Sequence, residues 1–323
     1  MLTHRNIAFD AEAGVAASDV RDDEVGLTSL PLAHGYGILV SAAGMYVKGF
    51  GVLLRWFEPS QFLEAVQTFG VNRSAVVPTM LQYLLQMPLE DYDLSSLESV
   101  TSGAAPLPME VLRQWEQRTG SVVLEGYGCT ESTAGMTVNR RGDRKPGSVG
   151  LPFPGVEVRV VDERDEEVPR GETGEVVCRG DNVMTGYWRQ PDETATVLRA
   201  GWLHTGDIGR MDEVGFLYIV ERMKDLIIRG GLNIYPRDVE DALTEHPGVA
   251  MAGVVGKPDE MYGEEAVAFV VRKSGADPTE EELLEFLVRR IGKPKRPKEI
   301  RFVDSIPLTP VGKVNRRELR SQL

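Results

Sequence analysis

Several stretches of this 323-residue chain bring reactive or ligand-seeking side chains together at close spacing. Two are glycine-bearing loops, each placed after a short apolar run: Ser102-Gly103-Ala104-Ala105-Pro106 and Glu125-Gly126-Tyr127-Gly128-Cys129-Thr130-Glu131. Small residues let a backbone approach a flat base or a phosphate. Tyr127 offers a stacking face, Thr130 a hydroxyl for a phosphate oxygen, and Glu131 a hard oxygen ligand suited to Mg2+. Together these loops can hold a nucleotide, although a glycine loop taken singly is more often turn chemistry. A third stretch, Gly201-Trp202-Leu203-His204-Thr205-Gly206-Asp207, sets an acid in a tight turn, where it either takes ribose hydroxyls or closes an Asx-turn. A charged cluster, Glu221-Arg222-Met223-Lys224-Asp225, runs into Ile227-Ile228-Arg229-Gly230-Gly231 and reads equally well as a solvated interdomain linker.

The elements that must carry these groups follow from periodicity. Pro59-Ser60 precedes the apolar positions Phe62, Leu63, Val66 and Phe69, which predicts a helix. Ser74-Ala75-Val76-Val77 predicts a strand, and Pro78 opens a second helix through Leu81, Leu84 and Leu85. The unit repeats as Ser99-Val100-Thr101, a turn at Gly103, and a helix from Pro108 with Val111, Leu112 and Trp115 on one face, followed by Val122-Val123-Leu124. Such alternation implies a parallel sheet with helices on its faces, and ligands of open α/β sheets bind at the carboxyl ends of the strands, where both glycine loops fall. From Gly147 to Arg222, β-branched alternation cut by Gly and Pro predicts a small antiparallel barrel or sandwich. After Arg222 the order is strand, helix opened by Pro236, two strands, helix, strand; the second helix starts on a Thr279-x-x-Glu282 capping box. The expected class is α/β: a parallel-sheet αβ subdomain over residues 1–146, a small β-barrel over 147–222, and an α+β C-terminal domain over 223–323. The opening Met1-Leu2-Thr3-His4-Arg5-Asn6 reads like the middle of a helix.

Composition excludes several function classes. With 36 Lys+Arg against 49 Asp+Glu the net charge is −13, which argues against nucleic-acid binding, since that draws affinity from clustered cations. Only Arg289 to Arg301 is locally basic. Cys129 and Cys178 are too few for a disulfide framework or a zinc site, as expected of a cytoplasmic protein. The most apolar segment, Gly37 to Phe57, is interrupted by Lys48 and Arg55, so no transmembrane span is expected, and the first residues lack the regions of a signal peptide.

Taken in order, Tyr127 to Glu131, His204-Thr205-Gly206-Asp207, the run from Glu221 to Gly231, and Pro307-Leu308-Thr309-Pro310-Val311-Gly312-Lys313 resemble the motifs of adenylate-forming acyl-CoA synthetases, the superfamily shared with luciferases and peptide-synthetase adenylation domains. The resemblance covers nearly all of the chain. It implies a large AMP-binding domain followed by a mobile C-terminal lid, with ATP, Mg2+, coenzyme A and a small carboxylic acid as ligands. Gly103, Ala104, Ala105 and Pro106, with Glu125, Gly126, Tyr127 and Gly128, match the adenine-binding loops; Thr130 matches the residue that touches phosphate, and Glu131 the Mg2+-directed carboxylate. Asp207 and Arg222 match the pair that grips the ribose, Lys224 the hinge, Gly231 the glycine lining the pantetheine tunnel, and Lys313 the lysine of adenylation. His34, in Pro31-Leu32-Ala33-His34-Gly35-Tyr36-Gly37, matches an aromatic-or-His position at the acyl pocket.

The implied activity is that of an acid–thiol ligase: carboxylate and ATP give an acyl-adenylate, and CoA then gives the thioester and AMP. Amino-acid-activating members keep an Asp shortly after the position of Pro31, whereas no carboxylate lies between His34 and Phe57 here; a buried unpaired ammonium would be costly, so a fatty or aryl acid is favoured. The resemblance also accommodates a ligase that loads a carrier protein, or a chain that binds AMP or acyl-adenylate without turnover. Relatives carry a Ser/Thr/Gly-rich phosphate loop ending in Pro-Lys-Gly just ahead of the segment matching Leu2 to Asn6. Here the chain begins at Met1, so the expectation is a chain without that loop and the N-terminal half, and poorly active alone.

Overall fold

The computed structural model describes residues 1–47, 49–309 and 314–323. Two compact units divide them, one comprising Met1–Thr205 with Gly209–Ile219, the other Gly206–Ile208 with Val220–Leu323.

The first unit opens on helix α1 (His4–Ala17), followed by β1 (Val25–Thr28), α2 (Gly35–Tyr46), β2 (Phe50–Leu53), α3 (Pro59–Phe69), β3 (Arg73–Val76), α4 (Pro78–Leu85), β4 (Ser99–Ser102), α5 (Met109–Thr119) and β5 (Val122–Tyr127). Thr3 caps α1 with a capping box: its hydroxyl accepts from Asn6 N–H at 3.1 Å while Asn6 Oδ1 accepts from Thr3 N–H at 2.7 Å. The opening residues are therefore a helix start rather than a helix middle, because Thr3 offers the free N–H groups a better partner than further helix would. Pro59 and Pro78 each stand in a first turn, where no N–H is needed, and left-handed Gly70 (φ 60°) and Gly120 (φ 72°) end α3 and α5.

Strands β6 (Thr137–Val138) and β7 (Leu151–Pro152) complete a sheet of order β2-β1-β3-β4-β5-β6-β7, parallel from β2 through β5 and antiparallel beyond. Phe62, Leu63, Val66, Leu81, Leu84, Val100 and Trp115 are fully buried against it, each stabilising the unit by about 1.5–3 kcal/mol. Phe69, placed on the buried face of its helix by periodicity, is instead exposed and packs on Phe50 at 6.5 Å between centroids.

Between Glu157 and Arg222 the chain forms β8 (Glu157–Val161), β9 (Thr173–Arg179), α6 (Pro191–Val197), β10 (Leu198–Arg199), β11 (Trp202–Met211) and β12 (Leu217–Arg222), all in the first unit except Gly206–Ile208 of β11 and Val220–Arg222 of β12; the strands follow the order β10-β11-β9-β8 with β12 on β11. The expected barrel is a curled open sheet: among the described residues β8 and β10 lie at opposite ends of the path, and a two-residue β10 gives no edge on which β8 could close.

In the second unit β13 (Ile227–Arg229), β14 (Leu232–Ile234), α7 (Pro236–Thr244), β15 (Val249–Asp259), β16 (Gly263–Arg272), α8 (Glu280–Val288), β17 (Glu299–Phe302) and α9 (Arg316–Arg320) build a five-stranded sheet of order β14-β13-β16-β15, with β17 parallel to β16. The Thr279–Glu282 capping box forms at the start of α8. Periodicity reads one strand before Pro236 where the structure has a hairpin; Gly230 (φ 56°) and Gly231 (φ 82°) supply the two left-handed residues its turn requires.

Candidate functional site

Strands β4 and β5 are parallel neighbours with Ser102 opposite Glu125, and Gly103 to Pro106 leave the sheet at that carboxyl edge; Glu125 to Tyr127, expected in a loop, are instead the last three residues of β5, and the chain turns off only at Gly128. Gly103 is buried, and a Cβ there would lie 3.2 Å from the Tyr36 ring. The Tyr36 hydroxyl donates to Thr101 O at 2.8 Å, and burial keeps that phenol protonated. Ala104 (φ 67°) turns the first loop outward, leaving Ala105 half-buried and Pro106 exposed. Within β5 Gly126 and Tyr127 pair with Val138 and Thr137. Glu125 is buried, and its Oε1 accepts from Gly147 N–H at 3.2 Å. Gly128 has no room for a side chain: a Cβ would fall 2.1 Å from Ala134 O.

Thr130 and Glu131 follow in a short 3-10 turn, Thr130 exposed and Glu131 half-buried. After them Thr133 (φ 59°) and Ala134 (φ 86°) hold left-handed conformations uncommon for residues with a Cβ. Tyr187, which the sequence reading passed over, donates its hydroxyl to Glu131 Oε1 at 2.8 Å; burial and that carboxylate raise the Tyr187 pKa. The two residues are 56 positions apart, and nothing in the local pattern of Thr185-Gly186-Tyr187-Trp188 signals the contact.

His34 caps α2, its Nδ1 accepting from Tyr36 N–H at 3.2 Å. The adjoining Gly35 lies close enough to Ala134 that an added Cβ would sit 3.3 Å from the Ala134 methyl. The helix that follows His34 is thus anchored beside the Thr133–Ala134 turn, and it carries the apolar residues Ile38, Leu39 and Val40 half-buried.

In the second unit Arg222 Nε stands 3.3 Å from Oδ1 of buried Asp207, so these two expected partners do meet. Lys224 is exposed in the short turn Met223–Asp225. Its neighbours in the charged cluster are not solvated as a linker would be: Glu221 and Asp225 are buried, with Arg316 Nη atoms 3.9 Å from each. Gly231 sits exposed at the β13–β14 turn, with open space where a Cβ would project. Arg229, Tyr262, Lys293, Arg296 and Lys298 help line a cavity of about 490 Å³, so part of the basic stretch faces a hollow; Lys298 also pairs with Asp259 at 3.0 Å. Lys313 lies outside the described residues.

Residues 1–188 match the family model described as AMP-binding enzyme, and residues 238–313 match that of the AMP-binding enzyme C-terminal domain. The chain belongs to the AMP-binding enzyme family. Among characterised members it is 43% identical to the long-chain-fatty-acid–CoA ligase of Bacillus subtilis, covering 99% of this chain and 58% of that ligase. It is 39% identical to a feruloyl-CoA synthase of an Amycolatopsis species, covering 99% of this chain and 66% of the synthase. ATP-bound MatB from Rhodopseudomonas palustris superimposes with a TM-score of 0.94 at 37% identity, over 100% of this chain and 64% of MatB. The chain thus spans about three-fifths of the length of the relatives it matches.

Among the described residues no group of three or more His, Cys, Asp or Glu could hold a metal ion by itself. Glu131 presents one carboxylate, half-buried, with one oxygen engaged by Tyr187. That donor set fits a cation that arrives already coordinated by nucleotide phosphates, which is how Mg2+ is usually held. Among the described residues no helix is long and apolar enough to cross a membrane.

Proposed function

We propose that this chain carries the nucleotide- and acyl-handling surfaces of an ATP-dependent acid–thiol ligase acting on a fatty or aryl carboxylic acid in the cytoplasm. The observation that carries the reading is the register of Ser102 against Glu125, which sets both glycine-bearing segments at one edge of the parallel sheet, where open α/β folds bind ligands. Gly103 to Pro106 and Glu125 to Gly128 bound the adenine; Asp207, oriented by Arg222, takes the ribose hydroxyls; Thr130 takes an α-phosphate oxygen.

In the first step a carboxylate oxygen bonds to the α-phosphorus of ATP and pyrophosphate leaves. Anion meets anion, so the site must supply positive charge, and Lys313 is the residue proposed to bring it as a flexible point charge. Glu131 would hold Mg2+, which when bound would add to the neutralisation of the phosphates. In the second step the CoA sulfur, having lost its proton, bonds to the acyl carbon and AMP leaves. The C-terminal unit turns about Lys224 between the steps, bringing Gly231 to the pantetheine and the cations near Arg296 and Lys298 to the CoA phosphates. The apolar side chains that follow His34, with no carboxylate before Phe57, favour an uncharged acyl tail.

Titration calorimetry with AMP, followed by product analysis with free CoA and with a carrier protein, tests the reading. AMP binding and thioester formed on free CoA are expected; no AMP binding, or transfer to the carrier protein alone, refutes it. In a version extended to the full length of its relatives, Lys313→Ala is expected to abolish adenylation while sparing thioester formation from supplied acyl-adenylate, and Lys224→Pro to do the reverse by freezing the pivot φ.

A further inference from the structure

The segment from Asn182 to Tyr187 is stitched onto the turn that carries Glu131. Met184 N–H donates to Glu131 O at 2.8 Å, Asn182 Nδ2 donates to Gly135 O at 2.8 Å, and the Thr133 hydroxyl donates to Asn182 O at 2.6 Å. Tyr187 closes the seam with its 2.8 Å bond to Glu131 Oε1. Tyr187 is itself held from behind: its N–H donates to Thr194 Oγ1 at 2.9 Å, and that hydroxyl donates to Gln190 O at 2.7 Å. Gly186 makes the approach possible. Its φ is 139°, and a Cβ would lie 2.7 Å from Thr194 Cγ2.

A glutamate on a short turn has three side-chain torsions, and a carboxylate meant to meet a cation of strict geometry loses affinity if it wanders. A phenol bound to one oxygen removes that freedom. We infer that Tyr187 is the positioning residue of Glu131: it holds the carboxylate by Oε1 and leaves Oε2 for the divalent cation carried on the phosphates of ATP. The inference rests on the proposed nucleotide site and adds to it a residue that touches neither nucleotide nor metal. In such an arrangement the hydrogen bond that a metal ligand makes on its other side sets the ligand's direction.

The test is a double-mutant cycle read by calorimetry, with the β,γ-imido analogue of ATP as titrant, with and without Mg2+. Tyr187→Phe removes only the hydroxyl, and Glu131→Gln removes the charge it orients. In the otherwise native chain Tyr187→Phe is expected to reduce the Mg2+-dependent gain in analogue affinity by about three- to tenfold, and in the Glu131→Gln background by less than about twofold. Thermal midpoints of the single variants control for general loosening. An equal loss in both backgrounds makes Tyr187 merely structural and overturns the inference, as does no loss in either. If the native chain binds the analogue with no gain from Mg2+, the Glu131 metal reading fails and takes this inference with it; if it binds neither analogue nor AMP, the nucleotide site itself is refuted.

Discussion

Nη2 of Arg316 stands 2.8 Å from Oε2 and 2.9 Å from Oε1 of Glu240, tying α9 to α7 through a largely buried charge pair. Burial pushes the Glu240 carboxyl up to about 7 despite the guanidinium beside it. Arg316→Met leaves that carboxyl without its partner, which should cost the second unit about 3–5 kcal/mol at pH 8. At pH 5 the orphaned Glu240 takes up a proton and the loss should shrink. Urea unfolding of native and variant chains at both pH values checks this; equal losses at the two would remove Glu240 as the cause.

Asp10 is fully buried on α1, and neither carboxyl oxygen has a well-formed hydrogen bond among the described residues. Burial raises its pKa from 3.8 to about 9, with only partial opposition from the Gly135 backbone. Its stabilising contribution is therefore complete below about pH 4 and is lost progressively as pH rises toward 9, because the unfolded chain ionises first. Asp10→Asn removes that dependence. Its stability relative to the native chain should rise by roughly 2–4 kcal/mol between pH 4 and pH 8. Stability curves that run parallel across this range would show that Asp10 is already charged in the fold.

Asp207→Asn should weaken AMP binding by about 1.5–3 kcal/mol, roughly tenfold or more, since a neutral amide cannot supply two charge-assisted acceptors to a ribose and no longer holds Arg222. Calorimetry on the variant decides it, and an unchanged affinity would take Asp207 out of the site.

Gly128→Ala forces a methyl toward Ala134 O, where a Cβ would come within 2.1 Å. The loop between β5 and the Glu131 turn must shift, at a cost of about 1–3 kcal/mol or more. Nucleotide affinity should fall along with the thermal midpoint. Gly120→Ala is the comparison: it meets no atom within 4 Å and suffers only its positive φ of 72°, so its midpoint should fall while affinity holds.

Features that depend on near neighbours were legible in the order of the residues. Pro59 and Pro78 mark helix starts, Thr279 and Glu282 cap α8, and the turn at Gly103 follows its strand, because period, capping and turn geometry are decided within about ten residues. The order of the motifs along the chain carried the family, since their spacing is a property of the chain itself. Tertiary structure alone decided what depends on how distant segments return. It brought Tyr187 to Glu131 and Arg222 to Asp207, buried Glu221 and Asp225 around Arg316, and shut Asp10 away from water. It also left the second sheet open where alternation implied a barrel, because closure depends on a partner edge and β10 ends after two residues. A charged residue looks the same in sequence whether water or an ion pair will surround it. Burial is a property of the packed chain, and the desolvation it imposes sets the pKa values and the fixed carboxylates on which the site's chemistry depends.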